Sequence, residues 1–143
     1  MKDDTEKLLQ KCTLGAQMGV NGINAAQRYA TDPKLLALLS EFKDRHRAVE
    51  EEIQLLLAAR GKKSRRVNTV VKKMARAVTG MRIASRPDNG RIAQMMIGSC
   101  DAALERLAGL LSRYPSADDS AKECVKKLVL TEQEYRMQLQ SCA

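Results

Sequence analysis

The stretch EFKDRHRAVEEE, residues 41–52, holds the only histidine of the chain, His46, with acids on both sides. An imidazole among carboxylates is the raw material of a metal site or of proton transfer. Three consecutive glutamates on a helix point in different directions, so Glu50, Glu51 and Glu52 read mostly as a solvated face. A lone histidine supports no Ser-His-Asp arrangement, and Gly-rich loops of dinucleotide or P-loop spacing are absent. The four cysteines, Cys12, Cys100, Cys124 and Cys142, lie far apart and form no C-x-x-C pair. They read as small apolar packing rather than as a zinc site. The chemistry left is that of His46 and whatever carboxylate the fold brings to it: Glu132 first, then Glu50 or Asp101.

The elements that position these residues are helices. Asp32-Pro33 reads as an N-cap followed by Pro at the first helical position. Gly61 reads as a helix stop, and Pro87-Asp88-Asn89-Gly90 as a break after which Asp88 or Asn89 caps the next helix. Pro115-Ser116 with Asp119 reads as a capping-box-like start. Between these signals apolar residues recur at steps of three and four. Helix one, about 3–30, carries Leu9, Cys12, Ala16, Gly19, Ile23 and Ala26. Helix two, about 33–60, carries Leu35, Leu39, Phe42, His46, Val49, Ile53 and Leu56. The third long helix, about 89–114, carries Met96, Cys100, Ala103, Leu107, Leu110 and Tyr114. The last, about 117–142, carries Ala121, Val125, Leu128, Glu132, Tyr135, Leu139 and Cys142. Gly15, Ala16 and Gly19 thin one face of helix one, which predicts close approach by a neighbour.

The second hairpin repeats the pattern of the first. An offset of 86 residues matches Leu39 with Val125, Phe42 with Leu128, His46 with Glu132 and Ile53 with Leu139, and an offset of 84 matches Ile23 with Leu107. Two similar hairpins joined by a long crossover build an all-α four-helix bundle. The chain of 143 residues is long enough for one domain with a sizeable core. Its 44% hydrophobic residues with only 3% aromatics suit helix-on-helix packing and argue against modules that stack on single-stranded bases.

The segments LLQKCTLGAQMGVNGI, DPKLLALLSEFKDRHRAVEEEI and IGSCDAALERLAGLL resemble those of a bacterial, Firmicutes-type ferritin-like family of small four-helix bundles of unknown function. The resemblance covers most of the chain and rests on helix order, small-residue positions and a charged second helix. It implies a ferritin-like bundle. Di-iron sites in such bundles take a Glu from two helices and Glu-x-x-His from the other two. With one histidine the paired motif cannot form: its places read His-Arg-Ala-Val at 46–49 and Glu-Gln-Glu-Tyr at 132–135. The expectation is therefore a satisfied core pair of His46 and Glu132, no cofactor and no enzymatic activity. The alternative is a degenerate metalloprotein using His46 and Glu132.

Charge supplies the strongest functional hint. Residues 60–91 hold eleven Lys and Arg against Asp88 alone, a net +10, while the remainder of the chain nets −2. Within that crossover VNTVVKKMARAVTGM predicts a short amphipathic helix over about 67–83. Lys62, Lys63, Arg65, Arg66, Lys72, Lys73 and Arg76 are the candidate contacts with an anionic partner: nucleic-acid phosphates, lipid headgroups or an acidic protein, without sequence specificity. A homo-oligomer is open. The charged start MKDDTEKLLQ, the lack of a membrane-length apolar run and the unpaired cysteines predict a cytoplasmic protein.

Overall fold

The computed structural model describes residues 4–65 and 88–143. They form four helices: α1 Asp4–Gln27, α2 Pro33–Ala59, α3 Asn89–Arg113 and α4 Asp119–Gln140. Among the described residues there is no strand, and no helix is long and apolar enough to cross a membrane. The crossover helix expected over 67–83 lies outside the described residues.

Local chemistry sets most of the boundaries. Asp32 accepts a hydrogen bond from the Lys34 amide at 3.3 Å, and Pro33 takes the first helical position. α2 ends in a Schellman turn. The Lys62 amide bonds the Leu57 carbonyl, the Gly61 amide bonds that of Ala58, and Gly61 has φ +71°. Of the two candidate caps on α3, Asp88 accepts from the Gly90 amide at 3.1 Å. Asn89 instead ties the two hairpins together, accepting from the Thr31 and Asp32 amides. The expected capping box at Ser116 and Asp119 does not form. The cap position is Asp118, whose carboxylate is drawn to Arg60 at 3.1 Å while its amide donates to Thr5 Oγ1. α1 also stops at Gln27, short of 30, because the Tyr29 and Ala30 amides both turn back to Ala26.

α1 pairs with α2, α3 with α4, and α2 packs along α4, while α1 and α3 touch over a much thinner seam. The buried side chains form two apolar clusters. One holds Leu8, Leu9, Ile53, Leu57, Leu107 and Leu128; the other holds Ile23, Leu35, Phe42, Ile92, Met96 and Leu139. Each fully buried Leu, Ile or Phe contributes about 1.5–3 kcal/mol relative to exposure. At the end of α2 the core residue is Leu57 rather than Leu56, which is only partly buried. A step of four after Ile53 keeps the stripe facing the bundle axis where a step of three would drift outward. Between the two clusters, at mid-bundle, lies a polar layer built on His46.

Candidate functional site

His46 is 0% exposed and Glu132 5%. Nδ1 of His46 donates to the Phe42 carbonyl, one turn back on α2, at 2.6 Å. A carbonyl can only accept, so Nδ1 carries a hydrogen. Nε2 meets Glu132 Oε1 in a close hydrogen bond across the α2–α4 seam. The pair is separated by the 86-residue repeat offset itself. In antiparallel helices, a residue and its repeat equivalent meet only at the crossing point, and His46 with Glu132 occupies it.

The surroundings keep this pair in place. The Phe42 and Tyr135 rings stack with centroids 4.8 Å apart, and Tyr135 stands edge-on to the imidazole at 6.1 Å. Arg45 covers the far side of Phe42, 4.8 Å from the ring centre, and forms an ion pair with Glu134. Cys100 comes from α3, and burial first, then the Glu132 carboxylate, push its thiol well above its ordinary range. The Tyr135 hydroxyl is likewise held protonated, by burial first and then by Cys100 and Glu132. It is buried and has no hydrogen-bond partner among the described residues.

α1 fits over this layer because position 19 is glycine. A Cβ there would lie 2.6 Å from His46 Cδ2 and 2.9 Å from Nε2. One turn earlier, a Cβ at Gly15 would lie 3.3 Å from the Arg106 guanidinium, which arrives from α3. What approaches the small-residue face of α1 is thus an imidazole and a guanidinium, not a neighbouring backbone. Between α1 and α3 these residues leave a cavity of about 220 Å³, walled by Met18, Ile23, Met96 and Ala103 and reaching His46, Glu132 and Tyr135.

The other candidate ligands are not brought to His46. Asp101 is exposed and bonds Arg136 at 2.5 Å, and Glu50 accepts from Gln54 at 3.2 Å. Both ring nitrogens of His46 already have partners. Among the described residues, no group of three or more His, Cys, Asp or Glu side chains is placed to hold a metal ion. All four cysteines are free thiols. Burial raises Cys12 to about 12 and Cys124 to about 11, the former helped by Cys124 and the latter by Glu52. Such thiols are poor nucleophiles at neutral pH. The arrangement can donate and accept hydrogen bonds, but it holds no activated nucleophile.

Of the basic candidates, Lys62, Lys63 and Arg65 are described and all three are exposed. Arg66, Lys72, Lys73 and Arg76 lie outside the described residues. Two side chains of α1 hold the start of the crossover by its backbone. Gln10 donates to the Lys63 carbonyl and accepts from the Arg65 amide, both at 2.7 Å, and Gln17 donates to the Arg65 carbonyl at 3.0 Å. The two glutamines are 8% and 9% exposed. Sequence reasoning missed them, although their spacing of seven places them on one face of α1. Comparison with protein-family models, with curated proteins and with solved structures finds no match for this chain.

Proposed function

We propose that this chain is a non-enzymatic binding bundle that meets an anionic surface through its basic crossover, beginning at Lys62, Lys63 and Arg65. The observation that carries the reading is the glutamine clamp. With the backbone at 63–65 held by Gln10 and Gln17, the neighbouring cations stand at fixed points on the surface with their side chains in water. Cations in defined positions lose less conformational freedom on meeting a row of phosphates or sulfates than cations on a free chain. The net +10 of residues 60–91 supplies the attraction. A ferritin-like relationship rests on helix order and on the long connection between α2 and α3. A metal-binding role for His46 and Glu132 would require their hydrogen bond to open first.

Retention on heparin and on anionic liposomes tests the reading. Retention is expected to fall steeply with salt. Neutralising Lys62, Lys63, Arg65 and Arg66 together should weaken it, with the far-UV spectrum unchanged. Neutralising Lys122, Lys126 and Lys127 should matter less, because Lys126 and Lys127 already face Glu123 and Glu52. Gln10→Ala with Gln17→Ala keeps every cation but removes the clamp, and should lower retention by a smaller factor. Equal retention by all these proteins, or none at low salt, would reduce the crossover to a solvated connector.

A further inference from the structure

The four helices turn unequal faces to water. α2 exposes Asp44, Arg47 and Glu51, and α4 exposes Glu123, Lys126 and Lys127. Over residues 12–27, by contrast, α1 holds no Lys, Arg, Asp or Glu, and neither does α3 over residues 92–100. A surface helix ordinarily carries charge on its outward face. Here α1 turns out Leu14 and Asn21, both half-buried, and Met18, which is 47% exposed. The two uncharged stretches run antiparallel and meet along the cavity, where Gly22 and Ile23 face Met96 and Ser99. Nearer the start of α1 the same seam turns cationic, with Lys11, Arg106 and Arg113 lining a hollow of about 330 Å³.

The ends of the crossover say what reaches this uncharged groove. Gln17 of α1 holds the Arg65 backbone, and the chain resumes at Asp88, where Asn89 bonds the Thr31 and Asp32 amides just past the far end of α1. From Gln17 to Gln27 the helix covers only about 15 Å. The 22 residues of 66–87 could stretch to roughly 70 Å. The chain therefore has length to spare and can travel beside α1 as a helix. Its sequence complements the groove. Val67, Val70, Val71, Met74, Val78 and Met81 recur at helical steps, and Lys72, Lys73 and Arg76 fall off that stripe. A helix over 67–81 would be about 22 Å long, against about 24 Å for the uncharged stretch of α1.

We infer that the uncharged α1–α3 groove is the seat of the chain's own segment 67–81, which lies on it by its Val and Met stripe. The segment covers Met18 and the mouth of the cavity. It sets out from the level of Gln17 toward the far end of α1, so its positive charge moves away from Lys11, Arg106 and Arg113. Lys72 and Arg76 then face water and continue the row begun by Lys62, Lys63 and Arg65. A stripe buried on the bundle has nothing left to insert into a lipid layer, so an anionic surface is met by the cations alone. The seat itself does not depend on that contact.

Limited trypsin digestion of the full chain, together with backbone amide shifts, tests this. Met74→Gln with Val78→Gln breaks the stripe and should speed cleavage after Lys72, Lys73 and Arg76 roughly tenfold, with the far-UV spectrum kept. The same variant should shift the Met18, Asn21, Gly22 and Ser99 amides. Met18→Lys spoils the seat from the other side and should speed the same cleavages. Met137→Lys, an exposed change on α4, should leave them as they are. Wild-type cleavage as fast as in the variants, no shift at those amides, or an unchanged rate in Met18→Lys would each overturn the seat. So would protection lost on dilution, which would put the stripe on a second copy. Liposome retention that survives high salt and vanishes in the Met74 and Val78 variant would put the stripe in lipid and overturn it too. Heparin retention reads the other proposal: protection kept without retention leaves the seat standing and removes the anionic partner.

Discussion

The α2–α4 seam and the α1–α3 seam follow the same spacing rule and end in opposite states. Between α2 and α4 large side chains meet: Phe42 on Tyr135, His46 on Glu132, Arg45 on Glu134, Lys127 on Glu52. Between α1 and α3 the residues at the same depth are glycine, alanine and methionine, and a cavity remains. Periodicity decides which faces turn inward; side-chain volume decides whether the two faces close. The difference also explains the fate of the polar groups. His46 and Glu132 are satisfied because the closed seam supplies partners, whereas the buried Tyr135 hydroxyl has none among the described residues.

The sharpest way to break this contrast is to add volume to the open seam. Gly19→Leu drives a side chain into His46, where even a Cβ meets the ring at 2.6 Å. Overpacking of this kind costs up to about 3 kcal/mol, and the imidazole would have to leave Glu132. Gly22→Ala is the control, since a Cβ at that position meets nothing within 4 Å. It should gain up to about 1 kcal/mol from helix propensity alone. Urea denaturation midpoints read both effects. Midpoints moving alike would show that Gly19 does not seat His46.

Next comes the closed seam. Glu132→Ala leaves His46 Nε2 without its hydrogen-bond partner and should cost about 1–3 kcal/mol. Removing Glu52, whose ion pair with Lys127 is exposed, should cost no more than about 0.5 kcal/mol. A Glu132→Ala protein as stable as the wild type would mean that the mid-bundle pair contributes nothing to the fold. The nucleus of this pair was legible in the sequence: two polar residues interrupt otherwise apolar stripes, and a repeat offset equates them. The four helices were legible for the same reason, together with Asp32-Pro33 and Gly61 as punctuation. The cavity was not. It arises from where Arg106 and His46 fall against Gly15 and Gly19, and periodicity carries no record of which side chain enters a small-residue face. Nor was the glutamine clamp, since Gln10 and Gln17 reveal their role only when the backbone at 63–65 passes within reach.

A third test uses the buried thiols. Cys12 ionises near 9 in an unfolded chain and near 12 in the fold, because burial disfavours the thiolate. Its folded pKa is raised, so stability is intact below pH 9 and is lost as pH rises from about 9 toward 12. At about pH 10 the loss from this group is on the order of 1 kcal/mol. Stability measured at pH 8 and 10 should therefore fall less in Cys12→Ala than in the wild type. Equal falls would show that the thiolate is not excluded from the core. Cys142, the one partly exposed thiol, should react with a thiol reagent before unfolding, and Cys12, Cys100 and Cys124 only after it.

The smallest expected effect discriminates best between the two seams. Tyr135 belongs to both: its ring stacks in the closed seam and the residue lines the open one. Tyr135→Phe retains the stack with Phe42 and removes only a buried oxygen that bonds nothing. Deleting an unpaired buried hydroxyl forfeits no hydrogen bond and relieves its desolvation, so stability should stay within about 0.5 kcal/mol or rise. Tyr135→Ala, by contrast, should cost about 3–5 kcal/mol, because it empties the stack and leaves a cavity beside His46. The pair of variants separates what the ring does from what the oxygen does. A loss above about 1 kcal/mol in Tyr135→Phe would mean that the hydroxyl has a structural partner.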